Sequence, residues 1–426
     1  MRSFGCLRRL VAVVVLGLFW MVPCGLAAEK ETWKAATMAP QDAGWGKHYQ
    51  DLVLPMLQEM APGELGVTIF WNGVRGDDTV VVRKLKSGEL QAAGLSGLGA
   101  VEAVPDFAVV ELPFLFANYD EVDYVRDKMF PTFGSLAESN GYKLMYWLDQ
   151  GFDQIYSVTP DIYSLKGINQ LYFITWMGPM EELMFNGLET RVYPMSILEM
   201  GDLVKEGIGQ AVMAPAQFIK ANELFKVFKY VNTVKMRYAP GIAVVTLDAY
   251  NKLPAPLRKK IEAGRQDLTR RFVAACRAEE QANLRAMIGY GLETVETRPQ
   301  DLEDLKSKAV TVWKRGIGGL YTEDMLNQVI GYINEYRAAK KSGKLIETVA
   351  LGVKTAAPAG PGAFAVTTDV IRKVQEKLKA QGYYDMGVDG ILGIRTFLGI
   401  KKYQKDKGMT ETGAIDQKLL NSLGIK

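Results

Sequence analysis

Cysteine and histidine are nearly missing from this chain of 426 residues: the cysteines are Cys6, Cys24 and Cys276, and the one histidine is His48. With Cys6 and Cys24 in an apolar leader, the rest of the chain holds a single thiol, which excludes an internal disulfide and any cysteine zinc site. One histidine excludes multi-histidine metal centres and leaves little material for Ser-His or Cys-His catalysis. No metal, no cofactor and no catalytic residue is assigned. A bilayer-spanning run is also missing, since the apolar stretch LVAVVVLGLFWMV at 10–22 falls short of about 20 residues. Charge of one sign is scarce too. There are 51 basic and 48 acidic side chains, and removal of Arg2, Arg8 and Arg9 with residues 1–28 leaves 48 of each. A neutral body argues against coating nucleic acid, so no nucleic-acid partner is expected.

What is present fits a soluble globular chain with room for two or three domains: 48% hydrophobic and 23% charged residues, with mean hydropathy near zero. The three leader arginines, the apolar run, Pro23 and GLAAE follow the order of a secretory signal, with cleavage expected near Ala28. The reading is a signal peptide over 1–28 and a soluble periplasmic product. A lipoprotein at Cys24 is disfavoured by Pro23, which stands where a small residue is wanted.

From residue 33 the chain alternates short β-rich runs with helical patterns, as in WKAATM, VTIFW (67–71), KLMYWL (143–148), QIYSVT (154–159), QLYFIT (170–175), QAVMA (210–214) and GIAVVTL (241–247). This is an α/β rhythm, and about ten strands over some 220 residues predict two sheets. Residues 256–290 read as one long amphipathic helix closed by Gly289 and Gly291, with more helix to about 341. His48, in the helical stretch 44–61, is read as surface or lobe-facing. Ala, Gly and Pro dominate 349–366, a linker without periodicity. The last 60 residues restart as three helices and hold eleven basic against seven acidic side chains. That balance suits either a polyanionic surface or a solvated helix face.

Residues 367–426 resemble the small peptidoglycan-binding domain of cell-wall proteins. The resemblance is carried by Val374, Gln375, Leu378, Gly382, Tyr383, Val388, Asp389, Gly390, Gly393, Thr396, Ile400, Tyr403, Gln404, Gly408, Gly413 and Leu420. Of these, Gln375, Tyr383, Asp389, Gly390, Thr396, Tyr403 and Gln404 are the candidate peptidoglycan-binding positions. DMGVDG imitates a calcium loop, but Gly387 and Thr396 stand where ligands are required, and a turn is the better account.

Residues 29–348 carry, in order, NGVRGDDTVVVRKLKSGELQAAGLSG (72–97), PDFAVVELPFLFANYDE (105–121), SLKG (164–167), KVFKYVNT (226–233) and LDAYNKLPAPLRKKI (247–261). This region resembles the solute-binding receptors of tripartite ATP-independent periplasmic (TRAP) transporters. The resemblance implies a two-lobed α/β binding protein with a hinge and long C-terminal helices, which closes on one ligand and delivers it to TRAP membrane permease subunits. The three-helix module would place it at peptidoglycan.

The pocket departs from the pattern of the family. Members place one arginine before SLKG and another just after it, the second forming a two-point bridge to a substrate carboxylate; here those places hold Asp153 and Leu171. Neither supplies the guanidinium fork. The polar residues of the opposite wall become Gln210-Ala211 and Met213-Ala214. The candidate ligand-binding residues are Trp45, Asn72, Phe152, Asp153, Tyr172, Trp176, Arg191, Gln210 and Met213. They suit an apolar or neutral ligand, or else an organic acid held by a displaced anchor at Arg191. A cell-wall enzyme using Glu181-Glu182 or Glu279-Glu280 is a further alternative, weakened because adjacent helix residues point in different directions. An envelope scaffold that has lost ligand binding is another.

Overall fold

The computed structural model describes residues 31–176, 178–195, 199–342, 368–385, 387–388, 390 and 394–425. The expected signal peptide and the expected linker, with Asp389 and Gly393, lie outside the described residues. The strands are β1 (Glu31–Thr37), β2 (Leu65–Phe70), β3 (Ala92–Ser96), β4 (Tyr142–Ser157), β5 (Tyr172–Thr175), β6 (Arg191–Pro194), β7 (Ala211–Ala214), β8 (Tyr230–Thr246) and β9 (Glu293–Val295). The helices of the α/β region are α1 (Gly44–His48), α2 (Leu54–Met60), α3 (Asp78–Lys86), α4 (Gly97–Ala103), α5 (Tyr119–Ser139), α6 (Leu165–Ile168), α7 (Pro179–Leu188), α8 (Met200–Lys205), α9 (Ala216–Ala221), α10 (Leu247–Lys252), α11 (Ala255–Tyr290), α12 (Pro299–Arg315) and α13 (Glu323–Lys341). A π-helical turn, Tyr49–Val53, joins α1 to α2.

The two predicted sheets are one hydrogen-bonded path, β2-β1-β3-β8-β4-β7-β5-β6, with β9 beside β8. The reason is that β4 and β8 are long enough to serve both lobes. Their Tyr142–Leu148 and Gly241–Thr246 halves join β3, β1 and β2, while their other halves meet β7 and β9. The apolar runs at 143–148 and 154–159 are therefore one strand. The β4–β8 register slips three times, at Leu144/Tyr146, Asp149/Gly151 and Asp153/Ile155, and the last slip leaves Thr233 to Met236 without partners on β4.

Alternation along the strands fills both faces. In the second lobe Tyr156, Ile174, Val212 and Ala214 enter one core, and Ile155, Phe173, Ala211 and Met213 enter the other. In the first lobe Leu144 and Trp147 face a core with Phe107 and Phe133, while Met145, Tyr146 and Leu148 face Trp33 and Phe272. Helix α11, with 36 residues and so about 54 Å long, straps both lobes. Its Leu268 and Phe272 pack in the first, and its Leu284 and Met287 in the second. Gly291 closes it at φ 130°.

The LPFLF block also serves both lobes. Leu112, Leu115 and Phe116 are buried in the first lobe, while Phe114 packs against a core of the second. Phe114 turns across at φ +56°, a conformation unusual for a bulky side chain. Its amide donates to the Met236 carbonyl at 2.8 Å.

The last segment forms α14 (Thr368–Ala380), α15 (Ile394–Asp406) and α16 (Gln417–Leu423) around Val374, Leu378, Ile400, Tyr403, Leu419 and Leu423. All three helices close in the same way. Gly382, Gly408 and Gly424 take positive φ, and the following amide returns to a carbonyl five residues back: Tyr383 to Leu378, Met409 to Gln404, and Ile425 to Leu420.

Trp147 illustrates the polar cost of this core. Its Nε1 donates to the Tyr238 hydroxyl at 2.9 Å with both rings buried. Tyr238→Phe strands that donor and is predicted to cost about 1–3 kcal/mol, read as a lowered urea midpoint with an unchanged slope.

Candidate functional site

In open α/β sheets, ligands bind outside the carboxyl ends of strands. Here β3 passes through Ser96 and Gly97 into α4, and β5 passes through Thr175 and Gly178 into α7. The two corners touch: a Cβ at Gly178 would lie 2.4 Å from Leu98 Cδ1 and 2.8 Å from Glu181 Oε2.

One buried cation sits in this seam. Arg237 of β8, across from Asp153 of β4, donates from Nε to Asp153 Oδ2 at 2.8 Å and from Nη1 to Glu181 Oε1 at 2.7 Å. Glu111 Oε2 lies 3.4 Å from Nη1. These side chains are 0–4% exposed. Glu111 comes from the first lobe, immediately before the LPFLF block, and Glu181 from the second. A Cβ at Gly97 would lie 2.6 Å from both Glu111 oxygens, so the β3–α4 backbone presses directly on that carboxyl.

Burial pushes Glu111 up to about 8, against the opposing pull of Arg237 and with further upward push from Glu181 and Asp153. Burial also raises Asp153 despite its ion pair with Arg237. For Arg237 burial works downward, but the surrounding carboxylates outweigh it and hold the guanidinium charged. At the same β3–α4 corner, Asp78 accepts from the Ser96 amide at 3.1 Å and from the Ser96 hydroxyl; burial lifts it to about 6.

A second network fixes the middle of β4 to α11. Arg277 donates to Asp149 at 2.8 Å and, two-pronged, to Asp123 at 2.8 Å. Glu280 accepts from the Tyr119 hydroxyl and, at 3.2 Å, from the Phe152 amide; burial raises it to about 7. Its neighbour Glu279 lies 2.8 Å from His48 Nε2, so the histidine ties α1 to α11. The pairs Glu181-Glu182 and Glu279-Glu280 are each split between different surroundings.

The ligand-binding candidates fall into three groups. Asp153 is in the seam. Phe152 is its buried neighbour, with Tyr119 and Tyr238 rings at 5.0 and 5.7 Å. Trp45 is buried too, its Nε1 donating to the Asp149 carbonyl at 2.9 Å, and Met213 is in a second-lobe core. Trp176, half-buried, packs on Phe218 at 5.3 Å just past the end of β5, and exposed Asn72 follows β2 at φ +56°. The third group is Tyr172, Arg191 and Gln210, at the amino ends of β5, β6 and β7 and so at the opposite end of these strands from Trp176. Gln210 Oε1 accepts from the Tyr172 amide at 3.1 Å. Exposed Arg191 lies 4.3 Å over the Tyr172 ring and donates to the Gln170 carbonyl. Leu171 is buried with Phe173 and Phe185. Sequence reading missed Arg237, Glu181 and Glu111 as one group. Its available signal was Arg237 inside the otherwise apolar run MRYAP.

An apolar cavity of about 60 Å³ lies within the first lobe, among Trp33, Tyr49, Met56, Met60, Tyr146 and Leu268. That is the share of about two waters, too little for a sugar-sized solute.

In the C-terminal module, Gln375 donates to Thr396 at 3.0 Å and accepts from the Gly390 amide at 2.8 Å. Gln404 donates to Thr412 at 2.9 Å and accepts from the Gly413 amide at 2.8 Å. The Tyr403 hydroxyl donates to the Ser422 carbonyl at 3.0 Å, with Tyr383 edge-on at 5.2 Å. These candidates hold the module together; Asp389 lies outside the described residues.

Two lobes sharing long strands, with a buried polar seam at the strand ends, define a solute receptor. The chain belongs to the bacterial extracellular solute-binding protein family 7, whose model matches residues 35–317; it is a TRAP-type solute-binding protein and not an enzyme. A putative peptidoglycan binding domain matches 367–423. A solute-binding protein of Chromohalobacter salexigens is 18% identical over 286 residues, covering 67% of this chain and 85% of that protein. Among solved structures, the sugar acid binding protein DctPAm of Advenella mimigardefordensis, in complex with galactonate, is 18% identical with a TM-score of 0.65, covering 72% of this chain and 99% of that one. A TRAP periplasmic solute-binding protein from Sulfitobacter sp. NAS-14.1 with bound β-D-galacturonate is 16% identical with a TM-score of 0.65, covering 72% and 100%.

Two predictions follow from Arg237. Arg237→Met abandons three buried carboxyls and is predicted to cost about 3–5 kcal/mol, with part of the loss recovered as the pH falls and they protonate. In the native protein, a Glu111 raised to about 8 favours the folded state fully below the ordinary carboxylate range, and that contribution is lost as pH rises through 8. Glu111→Gln is therefore predicted to flatten the decline in urea midpoint between pH 5 and pH 8.5, while Asp78 and Glu280 keep their smaller share.

Proposed function

We propose that this protein is the periplasmic receptor of a TRAP transporter: exported by residues 1–28, it captures one small solute between its lobes and hands it to membrane permease subunits. The C-terminal module, joined through the linker 349–366, holds it against peptidoglycan. The observation that carries the reading is the pair β4 and β8, which run through both lobes and bring one residue of each lobe, Glu111 and Glu181, onto a shared cation. Such strands supply the hinge about which a receptor closes. None of the described helices is long and apolar enough to cross a membrane.

The relatives with bound galactonate and galacturonate make a sugar acid the natural comparison. Several features favour a ligand not anchored by an arginine fork. Asp153 and Leu171 stand at the anchor positions, Arg237 is already engaged by carboxylates, and Arg191 rests on Tyr172 at the amino ends of the strands. Tethering would trade diffusional range for a raised effective concentration near the permease.

Native mass spectrometry of the protein purified without refolding is predicted to reveal one small-molecule adduct lost on denaturation. No adduct, together with no thermal shift across a library of acids, amines and sugars, would sink the receptor reading. In a separate assay, the exported chain should sediment with purified sacculi, and a chain ending at residue 342 should stay in the supernatant. Equal sedimentation of the two would remove the anchoring role.

A further inference from the structure

The seam is short of positive charge. Arg237 is surrounded by Asp153, Glu181 and Glu111, and the charges that act on each of these buried groups are the other members of the cluster. One guanidinium against three carboxyls leaves the group acidic even with Glu111 protonated. Hydrogen bonding is incomplete as well. Asp153 uses Oδ2 on Arg237, but its Oδ1 is buried without a partner, as is Glu111 Oε1. On the adjoining wall Asp78 spends Oδ2 on Ser96 and leaves its buried Oδ1 without a partner. Leaving an ionisable oxygen buried and unpaired costs more than leaving a neutral one so, and native proteins seldom tolerate several together.

We propose that the interlobe seam is the binding site for a cationic solute, whose protonated amine or guanidinium N–H groups seat on the unpartnered oxygens of Asp153 and Glu111.

This rests on the receptor reading above and names the solute class of the same site. The two open acceptors, Asp153 Oδ1 and Glu111 Oε1, match the donors of an ammonium or guanidinium, and a cation would bring the cluster towards neutrality. A carboxylate would meet the opposite conditions. The one guanidinium able to receive it is committed through Nε and Nη1, and the remaining oxygens would repel it. Glu111 comes from the first lobe and Asp153 from β4, which runs on into the second, so a cation held between them bridges the lobes and favours the closed arrangement.

The test is isothermal titration and thermal shift on the whole exported protein, stripped of co-purified solute. The probes are putrescine, spermidine and agmatine, against galactonate, galacturonate and glucuronate at matched ionic strength. Saturable binding of at least one amine, with the acids silent, is expected. Glu111→Gln keeps the side-chain volume and should weaken that amine at least tenfold without lowering the melting temperature at pH 8. Since Asp153→Asn also weakens the hold on Arg237 and could fail to fold, the wild-type panel stands as an independent readout. The inference is overturned if an acid binds saturably, if every amine is inert, or if Glu111→Gln leaves amine affinity unchanged. Saturable acid binding would overturn it while leaving the receptor assignment standing.

Discussion

Arg237 and the carboxyls around it set the terms for the rest of the receptor. A charge buried this deeply is tolerable only when matched, and its matches come from three different places: a neighbouring strand, the turn ahead of the LPFLF block, and the first turns of α7. Each partner constrains its own element. Glu111 fixes where the first lobe hands over to Phe114, and Glu181 fixes how the second lobe's α7 meets the β3–α4 corner. Asp153 holds the β4–β8 register just before it slips. The lobes are thus aligned by electrostatics at the seam and by apolar packing outside it.

Much of this architecture was legible in the residues. Period-two alternation in QLYFIT and QAVMA, the capped helices and the closing glycines gave the α/β body and the three-helix module, because each depends on local sequence. The continuity of β4 was not legible. Asp149, Gln150, Gly151 and Asp153 interrupt its apolar pattern and read as a break between two strands. They are tolerated because Arg277 and Arg237, more than 80 residues away, pair with them. The same distance hid the site. Asp153 was readable as a lost anchor, but its ion pair with Arg237 depends on cross-strand register, which no local window contains. Tyr172, Arg191 and Gln210 were drawn to the pocket by chemistry alone, and parallel pairing sets them at the amino ends of their strands instead.

The module repeats a device that sequence inspection passed over. Gln375 in α14 and Gln404 in α15 each pin the following loop through a glycine amide, Gly390 and Gly413, both at positive φ. Two helix-and-loop units share one internal support, although their loops differ in length. Gln375 and Gln404 are explained by folding, so the proposed wall contact belongs to exposed side chains.

The order of strands has a consequence for how the chain is made. β3 lies between β1 and β8, and β8 ends at Thr246. Until residues 241–246 have emerged, the first lobe has an unpaired strand edge and no route to its finished sheet. Contacts of such long sequence separation form late. A growing chain of this topology therefore keeps the sheet of its first lobe open through more than half its synthesis.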